Sequence, residues 1–259
     1  MGGVQDEAGM TAGAPTTVIV VPCFNEAARL RPDRVHELAE LCGAVLLVDD
    51  GSTDATASML ATISAAAAPG TTHVEHLDVN QGKAAAVRHG LNVALDGGAT
   101  VVGYCDADFA TPADEMARLI DVLRNDPGID VVIGSRVAML GTDVRRSPAR
   151  HYLGRVFATL ASAALGMAVY DTQCGAKVFR DTPALRSALH TPFGSGWAFD
   201  VELLARLRRG DAANAGLAIE RFVEVPLRRW HDVSGSKLTL GAATKAAVDL
   251  LRIARQLRR

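Results

Sequence analysis

A chain of 259 residues, 49% hydrophobic and 22% charged, has the balance of a globular protein with a large core, which excludes a disordered, collagenous or disulfide-scaffold architecture. The formal net charge of -2 argues against a generally basic nucleic-acid binder. The charge is uneven, however: between Ser236 and Arg259 the lysines and arginines face Asp249 alone, so the tail is basic and the body acidic. Cys23, Cys42, Cys105 and Cys174 form no CxxC pair, and reduced thiols in a cytosolic setting are the expectation.

Residues 1–16 carry glycine, alanine and acids in place of a basic and then apolar run, and read as a flexible leader, not a signal peptide. Strand-length apolar runs then alternate with helix-length stretches. Strands are expected at Val18–Val21, Val45–Val48, His73–Leu77, Thr100–Tyr104 and Ile129–Ile133, and helices at Ala27–Leu41, Thr53–Ala66, Lys83–Leu95 and Pro112–Leu123. The last of these helices is expected to be capped by Thr111, with Pro112 at its first position. Such alternation marks an α/β fold with a mainly parallel central sheet flanked by helices.

After Arg136 the regularity fails. A basic stretch, Arg145–Arg155, leads into Val156–Val169; Asp171–Arg180 reads as irregular, and two short helices precede a late strand near Phe222–Leu227. Leu153–Val169, the longest apolar candidate, is broken by Arg155 and falls short of the roughly 20 residues a membrane-spanning helix needs. Ser234–Ser236 reads as a mobile loop. Gly241–Arg259 reads as a basic amphipathic helix with Ala246, Leu250, Ile253 and Leu257 in one stripe. One domain over 17–232, followed by a loop and helix over 233–259, is the expected organisation.

Ligands of parallel α/β sheets bind beyond the carboxyl ends of the strands. Here those ends are polar: Pro22-Cys23-Phe24-Asn25-Glu26, Asp49-Asp50-Gly51-Ser52-Thr53-Asp54, Asp106-Ala107-Asp108 and Gly134-Ser135-Arg136. Carboxylates gathered on one sheet edge repel one another unless a cation or a hydrogen-bonding ligand lies between them. Asp106 and Asp108 reach a single Mg2+ or Mn2+ that takes its other ligands from water and phosphate, or else are solvated loop acids; their strand-end position favours the metal. The Asp49–Asp54 turn caps a helix, or offers carboxylates to a uracil imide or ribose. Lys83 adds positive charge near a nucleotide or, as the commoner reading of a lone Gly-Lys pair, is solvated. His73 and His76, three apart on a strand, point to opposite faces, and Gly194-Ser195-Gly196 lacks the spacing of a hydrolase elbow.

Taken in order, Val20–Glu26, Val48–Asp54, Asn80-Gln81-Gly82-Lys83 and Asp106–Asp108 resemble the nucleotide-binding half of a family 2 inverting glycosyltransferase of the GT-A fold. Gly134–Arg136, Asp171-Thr172-Gln173-Cys174-Gly175-Ala176-Lys177-Val178-Phe179 and Trp197–Leu203 resemble its dolichyl-phosphate β-glucosyltransferase branch, kin of polyprenyl-phosphate mannosyl transferases. The resemblance runs from about Thr17 to Lys237, and Asp-Thr-Gln-Cys-Gly is its most specific part. It implies that Pro22, Glu26 and Asp50 line the nucleoside pocket, that Asp106 and Asp108 hold Mg2+ or Mn2+ under the diphosphate, and that Arg136 and Lys177 sit near phosphates. It further implies that Arg145, Arg146 and Arg150 face a lipid phosphate. The implied donor is a nucleotide sugar, UDP-glucose favoured, and the implied acceptor a polyprenyl phosphate. Two positions depart from the pattern: Ala110, where mannosyl-type relatives often carry a polar residue, and Ala176, where the branch usually has an aromatic.

A sugar-hydroxyl acceptor needs a carboxylate base, for which Asp171 and Asp200 are the candidates. A lipid phosphate, with its second pKa near 6, is already largely ionised and calls for arginine and lysine instead. The basic Arg145–Arg155 segment and the basic tail also suit a bilayer surface, which places the protein peripherally on the cytoplasmic face of a membrane. The rival readings are weaker. A haloacid-dehalogenase phosphatase needs its DxD on the first strand, a Walker kinase needs Ser or Thr after Gly-Lys, and a dinucleotide fold needs GxGxxG after its first strand. A saccharide-hydroxyl acceptor and an inactive nucleotide-sugar-binding module remain as alternatives.

Overall fold

The computed structural model describes residues 17–145, 148–231, 249, 252 and 253. In chain order its elements are β1 (Thr17–Cys23), α1 (Pro32–Cys42), β2 (Ala44–Asp50), α2 (Thr56–Ala66), β3 (Thr72–Leu77), α3 (Lys83–Asp96), β4 (Val101–Cys105), α4 (Ala113–Asn125), β5 (Val131–Ser135), β6 (Asp143–Arg145), α5 (Pro148–Leu165), β7 (Ala176–Arg180), α6 (Pro183–His190), α7 (Phe199–Arg209), β8 (Phe222–Pro226) and β9 (Arg229–His231). Seven strands form one sheet in the order β3-β2-β1-β4-β7-β5-β8, and β6 and β9 pair separately.

Continuous apolar runs form the inner strands because both faces of this sheet are covered. Val18, Val20, Leu46, Val48, Val102 and Tyr104 pack with α3, α5, α6 and α7 on one face. The alternate residues Ile19, Val21, Val45, Leu47, Val101 and Cys105 pack with α1, α2 and α4 on the other. The result is three layers, with the polar strand ends expected from the sequence emerging along one edge. α3 lies unusually close to the sheet. A methyl group on Gly90 would sit 2.5 Å from Val20 Cγ1 and 2.9 Å from Val48 Cγ2.

Several expectations are corrected. Asp171–Arg180 is not irregular throughout: Ala176–Arg180 is β7, inserted antiparallel between β4 and β5. The charge that disguised it, Lys177, is buried within the sheet by an internal ion pair. α1 starts at Pro32, after a turn in which Glu26 O accepts from the Arg29 and Leu30 N–H groups. α4 takes Pro112 as its N-cap, with no side-chain cap from Thr111. The segment after Gly141 forms β6 and then α5.

The leader 1–16, the loop Ser234–Ser236 and most of Gly241–Arg259 lie outside the described residues. Of that last segment, Asp249 and Ile253 are buried: Ser195 Oγ donates to Asp249 Oδ2 at 2.6 Å, and Ile253 joins the core on the α3 face. Among the described residues no helix is long and apolar enough to cross a membrane.

Candidate functional site

The loop after β2 organises its neighbours. Asp50 accepts from the N–H groups of Gln81 at 2.8 Å and Gly82 at 2.7 Å, and Asp49 accepts from Ser52 N at 3.1 Å and meets His76 Nδ1 at 3.2 Å. Gly51, at φ +65°, lets the two loops touch; a Cβ there would lie 2.5 Å from Asn80 N. The loop after β1 is tied in by Asn25, left-handed at φ 53°, whose Oδ1 accepts from Thr53 N at 2.8 Å and Asp54 N at 3.3 Å. The next residue, Glu26, pairs through both carboxylate oxygens with Arg29.

With residues 81 and 82 fixed by Asp50, Lys83 leaves the first turn of α3 toward β4. Its Nζ lies 2.5 Å from Asp106 Oδ1, which corrects the solvated reading. Burial opposes the lysine's charge, but Asp106 foremost, with Asp200 and Asp108, holds its pKa above the ordinary value. Asp106 and Asp108 leave β4 in a turn completed by Phe109 at φ 50°. Burial, and then the neighbouring Asp106, push the Asp108 carboxyl above its usual range, against the Ala110 N–H, Arg29 and Lys83. Two carboxylates that repel each other at a half-buried edge suit a divalent cation. Among the described residues no three or more His, Cys, Asp or Glu gather as ligands. An ion here would therefore keep water and phosphate oxygens as its remaining ligands, as Mg2+ and Mn2+ do.

These loops enclose a cleft of about 470 Å³ lined by Pro22, Phe24, Glu26, Arg29, Asp50, Asn80, Lys83, Asp106 and Asp108, among others. It gathers every residue expected at the nucleotide. A larger hollow of about 550 Å³ beside α4 is lined by two of the protein's own ion pairs, Arg118 with Glu115 and Arg229 with Asp114.

The other expected residues occupy the adjoining strand ends. Gly175, just before β7, lies against the DxD turn: a Cβ there would be 2.1 Å from Asp106 Oδ2. Arg136 clamps Asp171 through Nε at 2.7 Å and Nη2 at 2.8 Å, with its guanidinium 5.3 Å from the Trp230 ring. Glu224 on β8 holds that segment by accepting from Tyr170 N and Asp171 N. Lys177 is wholly buried, its Nζ 2.6 Å from Asp200 Oδ1 and 2.5 Å from Cys174 O, and the Tyr104 hydroxyl also donates to Asp200. The expected placement of Lys177 beside a phosphate is thus replaced by an internal pair, and Asp200 is equally withdrawn. Arg145 lies on β6, its backbone in register with His231, and Arg150 on α5; their side chains, and Arg146 altogether, lie outside the described residues.

Sequence reasoning passed over Arg29, Phe24 and Asn25. Arg29 is legible only as the i+3 partner of Glu26, whereas Asn25 and Phe24 lay within the quoted strand-end segment and needed the fold to show what they touch.

A family model described as Glycosyl transferase family 2 matches residues 18–208. The dolichyl-phosphate beta-glucosyltransferase ALG5C of Trichomonas vaginalis is 31% identical over 92% of this chain and 70% of its own length. The dolichyl-phosphate beta-glucosyltransferase of Saccharomyces cerevisiae is 32% identical over 92% and 72%. The polyprenol monophosphomannose synthase of Mycolicibacterium smegmatis is 33% identical over 82% and 76%. Among solved structures, S. aureus TarS in complex with UDP aligns with a TM-score of 0.50 at 16% identity, over 93% of this chain and 64% of that one, a likeness of fold.

Proposed function

From glycosyl transferase family 2, to which this chain belongs, we propose that the protein moves a hexose, with inversion, from a nucleoside-diphosphate sugar to a polyprenyl phosphate. UDP-glucose is the favoured donor, in keeping with the glucosyltransferase names of several relatives. The observation that carries the reading is the cleft in which the ends of β1, β2 and β4 and the start of α3 meet around Asp106 and Asp108. Pro22, Glu26 and Asp50 belong to its nucleoside end, and Asp106 and Asp108 would hold Mg2+ or Mn2+. Such a cation offsets the negative charge that develops on the departing diphosphate.

The rest of the site supports an acceptor that needs no base. Asp171 is clamped by Arg136, and Asp200 is buried against Lys177 and Tyr104. A carboxylate so committed is a poor proton acceptor for a sugar hydroxyl, while a lipid phosphate arrives largely ionised at neutral pH. The protein's task is then to hold two anions together. Arg145, Arg146 and Arg150 are the cations toward the lipid, and Arg136, paired with Asp171, adds a phosphate contact at that end of the site only by sharing its guanidinium between the two anions. Peripheral attachment to the cytoplasmic face of a membrane belongs to the same proposal, supported by the basic Arg145–Arg155 segment and tail. So does the division into a catalytic domain over 17–232 and an appended 233–259.

Incubation with Mn2+ or Mg2+, UDP-glucose and a polyprenyl phosphate is expected to yield a lipid-linked hexose, and EDTA to abolish the yield. GDP-mannose in a parallel reaction identifies the donor. Turnover only with a soluble saccharide acceptor would overturn the reading.

A further inference from the structure

The carboxylate pair of the cleft already has a cation of the protein's own. Lys83 Nζ sits 2.5 Å from Asp106 Oδ1; Oδ1 itself is buried, while the two side chains are 39% exposed and line the cleft. It is also built with care. Asp50 fixes the backbone of residues 81 and 82, Gly51 allows the close approach that makes this possible, and Gly90 seats α3 against Val20 and Val48. The Phe199 ring centroid lies 5.8 Å from Nζ. A surface lysine needs none of this positioning.

The same carboxylate has a second claimant. A divalent ion held by Asp106 and Asp108 meets an ammonium already in contact with Asp106, and two cations sharing a half-buried carboxylate repel each other strongly. A diphosphate entering the cleft brings anionic oxygens that offer the ammonium a new partner. We propose that Lys83 is the internal counter-ion of the Asp106–Asp108 pair, that the divalent cation displaces it from Asp106, and that the donor's phosphates then receive it. Metal and nucleotide binding are thereby coupled. Metal alone binds against the lysine, and nucleotide relieves the conflict; by reciprocity metal strengthens nucleotide binding to the same degree. This inference rests on the donor-cleft reading above.

The test is Mn2+ binding to the full chain without and with UDP, followed by electron paramagnetic resonance of the free ion and by calorimetry. Lys83→Met is expected to bind Mn2+ alone about tenfold more tightly than the unaltered protein, to bind UDP in Mn2+ about tenfold more weakly, and to show a smaller mutual enhancement, reduced to what direct coordination of the phosphates by the ion supplies. Lys83→Arg, which keeps the charge, is expected to retain the enhancement. A purely structural lysine would not make metal binding tighter when removed. Should Lys83→Met fail to fold, Lys83→Gln carries the same expectation. If the unaltered protein binds Mn2+ and the neutral variant binds it no more tightly, the exchange is overturned and the donor cleft stands. If the unaltered protein binds neither Mn2+ nor UDP, both fall.

Discussion

At Gly175 a single hydrogen atom separates the chain from the Asp106 carboxylate, since a methyl group would come within 2.1 Å of Oδ2 and 2.3 Å of Cγ. The Asp106 carboxylate is one arm of the expected cation site and meets Lys83 Nζ at 2.5 Å, so a methyl group would swing it away from both. Gly175→Ala is therefore expected to cut transfer by about 100-fold, as misplacements of about 1 Å do, with a smaller effect on thermal stability. Steady-state transfer measured beside a melting curve checks both, and an alanine variant of full activity would show that the turn can move. The residue scale is also where the sequence was read least evenly. Asp106 and Asp108 stood out in the sequence as two carboxylates at a strand end, and the fold places both in the lining of the cleft. Lys83 was read as a nucleotide-side charge or a solvated lysine, and its pairing with Asp106 was not legible, because one lysine after a glycine carries no sign of what it faces. Lys177 and Asp200 looked like site residues because charge in the sequence does not distinguish an open cleft from a buried pair that satisfies itself.

The elements follow the same division. β1, β2, β4 and β5 were evident because a strand covered on both faces must be apolar throughout, and few other segments need to be. β7 was missed because its Lys177 interrupts the apolar run, and the pair that makes burial of that lysine tolerable comes from α7, 23 positions along the chain. α3 shows how close packing sets a functional side chain. Gly90→Ala inserts a methyl group 2.5 Å from Val20 Cγ1, and overpacking of this kind costs about 1–3 kcal/mol. Urea unfolding should register that loss. Because α3 begins with Lys83, two turns before Gly90, the variant should also weaken UDP binding in Mn2+, whereas a Gly90 variant with unaltered nucleotide affinity would show that the helix start is held by Asp50 alone.

For the molecule as a whole, the buried thiols give a stability signature. Burial, the largest cause, pushes Cys42 and Cys174 up from 9.0 to about 12, and raises Cys23 and Cys105 as well. Between pH 9 and about 12 the unfolded chain releases thiol protons that the native protein retains. The native state thus binds more protons, and stability falls as pH rises through that window. Urea midpoints should decline across it, and less steeply in a Cys42→Ala, Cys174→Ala double variant. At pH 8 iodoacetamide should label no thiol quickly until urea is added; rapid labelling of the native protein would contradict the burial.

The antiparallel seat of β7 also bears on when the site comes into being. β1, β2, β3 and β4 are drawn from residues 17–105 and pair side by side, so this part of the sheet can assemble from neighbouring stretches of chain. β4 receives its other neighbour only after residues 106–175 have been made and turned back, since β7 begins at Ala176. During synthesis the nucleotide end of the cleft can therefore form while the strand that brings Gly175 against Asp106 is still to come. A nascent chain stopped before Ala176 would have its aspartates but not the wall behind them, so the edge that carries Asp106 and Asp108 takes its final shape late in the birth of the protein.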